Sequence, residues 1–168
     1  MKNVYTLAKV KKDLPNWTLA GFKAEACELY AQACAAIAAG DHNVLRHMTT
    51  ESLLTDIKRE LKQRDAGGWK RVEWSLQRTE ECAVVHGRLV APNPKDTSVA
   101  WAQLTVALRS VQRFAAYDAR GRLVAGDPDA DVAVQDYWVL ERSLLPNTPE
   151  GMKRWRVAAR LSIPPAGA

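Results

Sequence analysis

Apolar residues recur at helical spacing through the N-terminal part of the chain and at alternate positions through the rest. Phe22, Ala26, Leu29, Tyr30, Ala33 and Ile37 fall on one side of a helix predicted from about Leu19 to Ala39, and Cys27 and Cys34 widen that stripe. Lys23, Glu25, Glu28 and Gln32 form its wet side. Gly40 supplies a C-terminal cap, and Asp41 caps a short helix reaching Met48. Thr49 or Thr50 then starts a third helix that ends near Asp65, with Leu53, Leu54, Ile57 and Leu61 as its stripe. Gly67 and Gly68 stop it. Residues 1–18 read as an extended basic arm, closed by Pro15 and Asn16 and docked through Trp17.

From there the period changes to two. Val72, Trp74 and Leu76 alternate with Arg71, Glu73 and Ser75, which predicts a half-buried strand. A second strand is predicted over about Glu81 to Ala91, followed by a polar loop from Pro92 to Ser98. A third, long enough to need a bend or bulge, covers about Val99 to Tyr117. The Asp118–Gly121 turn leads to a short strand at Arg122 to Ala125, then a turn at Gly126 to Asp131. Further strands are expected from Val134 to Ser143 and from Lys153 to Ile163. Helices followed by antiparallel strands define an α+β class, with the N-terminal helices packed on the concave face of a curved antiparallel sheet. The simplest parse is the arm at 1–18, one domain at 19–165 and a short tail at 166–168.

A chain of 168 residues can bury a substantial core, and six Trp residues supply large contact surfaces. The net charge is +5, and 14 of the 24 basic residues are Arg, which suits an anionic partner such as RNA or acidic lipid. Three Cys residues make no disulfide framework, and their spacing reads as structural thiols in a reducing compartment. Without an apolar run long enough to span a bilayer, membrane contact is expected to be peripheral.

Candidate catalytic chemistry is sparse. Asp127, Asp129 and Asp131 alternate as in a calcium loop, but the sixth and twelfth positions from Asp127 are Val132 and Trp138 rather than Gly and Glu. His86 could sit in the mouth of a helix–sheet cone and act as a base, although no acidic partner stands near it in sequence. The expectation is no catalytic residue, no metal, no cofactor and no small-molecule substrate. The basic residues are better organised. Lys9, Lys11 and Lys12 lie on the arm, and Lys58, Arg59 and Lys62 on the third helix. Arg109 and Arg113 share a strand face by period two, as do Arg154, Arg156 and Arg160. Strand pairing could join these into a stripe suited to a phosphate backbone, or they could be the solvated side of a half-buried sheet.

The pieces WAQLTVALRSVQ, AAYDARGRLVAGD, VQDYWVLERSL and the closing WRV strand with Ile163-Pro164-Pro165, preceded by AQACAAIAAGDHNVLRHMTTESLL, resemble a known family in order and spacing. It is the mitochondrial large-ribosomal-subunit protein forty-five family, whose domain is shared with the import-motor scaffold Tim forty-four. The resemblance covers roughly Phe22 to Pro165. It implies a cone-shaped domain similar to nuclear transport factor two. It also implies a non-enzymatic place near the polypeptide exit, in contact with ribosomal RNA and neighbouring large-subunit proteins. The implied location is the mitochondrial matrix, peripheral to the inner membrane through the ribosome. A scaffold in a protein-translocation machinery, and an enzyme or ligand carrier with an open polar pocket, are the competing readings.

Overall fold

A computed structural model describes residues 2–91, 95, 100–162 and 165. Four helices precede a four-stranded antiparallel sheet in the order β1-β2-β3-β4. The helices are α1 (Lys2–Asp13), α2 (Leu19–Ala39), α3 (His42–Met48) and α4 (Glu51–Ala66). The strands are β1 (Arg71–Val90), β2 (Trp101–Tyr117), β3 (Leu123–Ser143) and β4 (Arg156–Leu161), with one 3-10 turn at Glu150–Met152. The α+β class stands, with all four helices ahead of the sheet.

The helix boundaries follow from local chemistry. The Thr18 hydroxyl accepts from the Gly21 amide at 3.0 Å, the Asp41 carboxylate from Val44 at 3.1 Å and the Thr50 hydroxyl from Leu53 at 3.4 Å. Gly40 closes α2 in the left-handed region at φ 68°, and its amide and that of Asp41 take up the last carbonyls of the helix. The faces chosen by periodicity are the faces buried: Phe22, Ala26, Tyr30 and Ala33 on α2, and Leu53, Leu54, Ile57 and Leu61 on α4. They meet the inner side of the sheet at Ala102, Leu104, Val106, Leu108, Trp138 and Leu140. Trp17, Phe22 and Trp155 pack in series, tilted and then edge-on, with centroids 5.9 and 4.7 Å apart.

The expected extended arm is instead the helix α1 from Lys2 to Asp13. Asn3, Thr6, Val10 and Leu14 form a short stripe at helical spacing, and half of it is polar, so charge dominates the sequence signal there. Val10 is fully buried and Thr6 nearly so. The Asn3 side chain bonds the edge of β1, donating to the Val85 carbonyl at 3.1 Å and accepting from the Gly87 amide at 2.9 Å. One amide thus stands in for a neighbouring strand at that edge.

The strands are fewer and longer than the alternation predicts. The two separate strands expected at 72–76 and 81–91 are the single β1, because register shifts at Leu76/Arg78 and Thr79/Glu81 absorb the extra residues. The two strands expected at 122–125 and 134–143 are likewise one, β3. Gln112 pairs with Val132 and Phe114 with Asp127, so residues 128–131 are an excursion within the strand. Pro128 is tolerated because β4 pairs only with Tyr137–Glu141 and leaves that part of β3 at an edge. Gly126, at φ 71°, lies so close to Phe114 that a Cβ would collide with its carbonyl. The last strand is shorter than expected and starts at Arg156. The Pro92–Ser98 loop apart from Lys95, Val99, Ile163, Pro164 and the 166–168 tail lie outside the described residues.

Candidate functional site: the basic surfaces

The sheet does not carry the continuous arginine stripe that period two suggests. Arg109 faces Glu80 and Glu81, each at 3.6 Å. Arg113 is held by Asp131 at 2.7 Å across the β3 excursion. Arg160 reaches Glu60 of α4 at 2.7 Å. A bulge at Ala158 splits the C-terminal set: Leu140 pairs with Val157, but Val139 pairs with Ala159. Arg160 therefore pairs with Trp138 on the helix side of the sheet, whereas Arg156 pairs with Glu141 on the outer side. Arg156 is half-buried with its Nε unpartnered, and Arg154 is exposed in the turn before β4. These three arginines do not share a face.

The helical side differs. Lys58 and Lys62 lie one turn apart on α4 and form no ion pair among the described residues. With His42 and Thr55 they line a surface hollow of about 620 Å³. Arg59 is beside them but is held by Asp56 at 3.4 Å. On α1, Lys11 and Lys12 are exposed in the last turn and unpaired among the described residues, where positive charge suits the helix dipole. Lys9 bonds Asp13 at 2.7 Å.

A third basic region was not anticipated. Lys9, Lys12, Arg142 and Lys153 converge with Asp13 around a cleft of about 560 Å³ between α1 and the segment after β3. Arg142 extends the inward series Asp136, Trp138, Leu140 on β3, so alternation was the available signal for its position. Burial pushes its guanidinium below the usual range, and Glu25 partly offsets this.

Between the helices and the sheet lies a cavity of about 460 Å³, walled by Trp69, Trp74, Phe114 and Trp138. It is open rather than filled by side chains. A polar chain runs beside it: Trp74 Nε1 donates to Gln112 at 2.7 Å, Gln112 donates to the Tyr30 hydroxyl at 2.5 Å, and Tyr30 donates to Asp136 at 2.5 Å. Burial, then the Asp136 carboxylate, pushes the Tyr30 hydroxyl up. Burial also pushes the Cys34 thiol up to about 12. These groups are held neutral, which suits a fixed network better than proton transfer near neutral pH. His86 is not in this cavity. It pairs with Thr105 on the outer face, because Thr105 is opposite in alternation to the inward Leu104 and Val106. Among the described residues no cluster of three or more His, Cys, Asp or Glu has metal-binding geometry, and no helix is long and apolar enough to cross a membrane.

Helices on one face of an open antiparallel sheet, with unpaired cations outside and an aromatic-walled cavity inside, define an α+β domain with basic surfaces. The chain belongs to the Tim44-like domain family, which matches residues 5–161. It is similar to the large ribosomal subunit protein mL45 of Bos taurus, 28% identical over 161 residues, covering 95% of this chain and 48% of that protein. It is also similar to the large ribosomal subunit protein mL45 of Drosophila melanogaster, 30% identical over 144 residues, covering 85% of this chain and 38% of that protein. The chain thus spans half or less of the length of these relatives.

Proposed function

We propose that this chain is a structural, non-enzymatic component of the mitochondrial large ribosomal subunit, set near the polypeptide exit. It contacts ribosomal RNA and neighbouring proteins there and helps hold the ribosome to the inner membrane from the matrix side. The observation that carries this reading is the similarity, over most of this chain, to two proteins named as large-ribosomal-subunit components. The unpaired lysines of α4 and α1 support it, since phosphate contact needs cations not already neutralised by the fold. Of the eleven basic residues singled out in the sequence, Lys11, Lys12, Lys58 and Lys62 are the first choices for RNA contact, with Arg154 next. Lys9, Arg59, Arg109, Arg113 and Arg160 are each held by an acid.

The test is sedimentation of the tagged chain from a mitochondrial extract through a density gradient. Co-migration with large subunits at moderate salt is expected, and migration only as a small free protein would end this reading. A second reading, a scaffold in a membrane protein-translocation machinery, is favoured by the family match itself. Recovery with a translocase and without ribosomal RNA would select it. A ligand-carrying role is kept in play by the open aromatic-walled cavity.

A further inference from the structure

We infer that the cleft between α1 and the segment after β3 is a second RNA contact, which grips a protruding phosphodiester of a single-stranded or looped segment. The inference rests on the RNA-contact reading above and adds a site to it.

Three observations converge on an anion. Four cations, Lys9, Lys12, Arg142 and Lys153, share the lining with one carboxylate, Asp13. Asp13 neutralises Lys9 at 2.7 Å, and Lys153 bonds only the outlying, almost fully exposed Glu150. Lys12 is exposed and has no ion-pair partner among the described residues. Arg142 is the decisive residue. Its Nε is buried without an acceptor, and its guanidinium donates to no protein group among the described residues. Arg142 as a whole is half-buried, and the charge of Glu25 acts on it without a hydrogen bond, so the buried donor stays unmet; phosphate offers several oxygens to a guanidinium's planar array of donors.

The depth of the site selects the source of the phosphate. Arg142 is recessed, at the register position opposite Ala102, whose side chain is fully buried. A flat bilayer surface meets the exposed lysines but not a recessed arginine. An unpaired RNA segment can project one phosphate into the cleft while its flanking phosphates meet Lys12 and Lys153. Such a contact positions RNA and carries no base specificity.

The experiment is fluorescence anisotropy of the whole chain with a short labelled oligouridine, titrated at several salt concentrations. Wild type is compared with Lys12→Glu/Lys153→Glu, with Arg142→Gln and with the α4 variant Lys58→Glu/Lys62→Glu. The cleft double variant is expected to lose at least about tenfold in affinity and to lower the salt slope by about one, the slope that one or two single-strand phosphate contacts supply. Both replaced lysines are at the surface, so its melting temperature is expected to match wild type even if Arg142→Gln unfolds. Cleft variants that bind like wild type, while the α4 variant does not, overturn this inference and leave the RNA reading standing. A wild-type chain that binds no oligouridine at low salt overturns both. Vesicles of phosphatidylcholine carrying phosphatidylserine form the last arm. Vesicle binding lost in the cleft double variant, with oligouridine binding retained, assigns the cleft to lipid and also overturns the inference.

Discussion

Arg109 and Arg113 on the sheet and four lysines on the helices have different fates in this fold. Arg109, Arg113, Arg122 and Arg160 each find an acid, two of them on the sheet itself, one within the turn before β3 and one across the cavity mouth. Lys58, Lys62, Lys11 and Lys12 find none among the described residues. The cause is geometric. Antiparallel pairing brings side chains from different strands within reach, so an arginine on one strand meets a carboxylate on the next. On α1 and α4 the acids Asp13, Asp56 and Glu60 are taken by Lys9, Arg59 and Arg160. Net charge therefore overstates the sheet as an anion-binding surface and understates the helices.

The sharpest way to break this contrast is charge reversal on α4. Lys58→Glu/Lys62→Glu is expected to weaken RNA association by about a hundredfold at low salt, because two phosphate contacts become repulsions. Its thermal melting is expected to stay at the wild-type value. Anisotropy and calorimetry on the same sample check both halves, and a hundredfold loss accompanied by unfolding would void the contrast.

Interior polarity gives the next effect. Gln112→Leu removes the acceptor of Trp74 Nε1 and the donor to Tyr30, both beside the cavity. Leaving those groups unmet is expected to destabilise the fold by about 2 kcal/mol in urea titration. RNA affinity is expected to remain unchanged, since the network lies behind the sheet's inner face. A matching loss of RNA binding would show that the cavity, and not the helical surface, governs association.

Reversing the paired arginines is the complementary case. Arg109→Glu/Arg113→Glu places new carboxylates beside Glu80, Glu81 and Asp131, and is expected to cost about 1 kcal/mol of stability. RNA affinity is expected to stay within about twofold of wild type once the general charge effect is matched by salt. A loss as large as that of the α4 variant would place RNA on the sheet after all.

What could be read in advance follows the same geometry. The helix α2 was legible because stripe and stop agree: the Phe22–Tyr30 spacing and Gly40 point one way, and the structure adds Thr18 as its cap. Along β2 alternation put Arg109 and Arg113 on one face, opposite the buried Leu108 and Gln112. It failed wherever a bulge intervened, because one extra residue reverses every later side chain. Ala158 is the costly case: it sends Arg156 and Arg160 to opposite faces, and no residue type announced it. Gly126, Asp127 and Pro128 had turn chemistry, yet the chain stays in β3 because its neighbour on that side ends early. The helix α1 was hidden by its lysines. Lys58 and Lys62 were legible as a shared face, whereas Arg142 and Lys153 meet only through the return of the chain after β3.

The smallest expected effect tests how firmly the turn between β2 and β3 holds Arg122. The Asp118 carboxylate accepts from the Arg122 amide and the Arg120 amide at 2.9 Å each, and pairs with the Arg122 guanidinium at 2.9 Å. The Arg122 amide is the largest influence, and together these groups hold the carboxyl below its ordinary value of 3.8. Ionised Asp118 is thus favoured more by the folded turn than by the unfolded chain. Its contribution is present above the unfolded value and is lost as pH falls through the lower folded value. A side-chain carboxyl NMR titration is expected to place the Asp118 midpoint below 3.8, and added salt is expected to raise it only in part, because the backbone donors are not screened as the guanidinium is. A midpoint at or above 3.8 would mean that Arg122 is in effect unpaired in solution, and that the sheet offers at least one more available cation than the contrast with α4 allows.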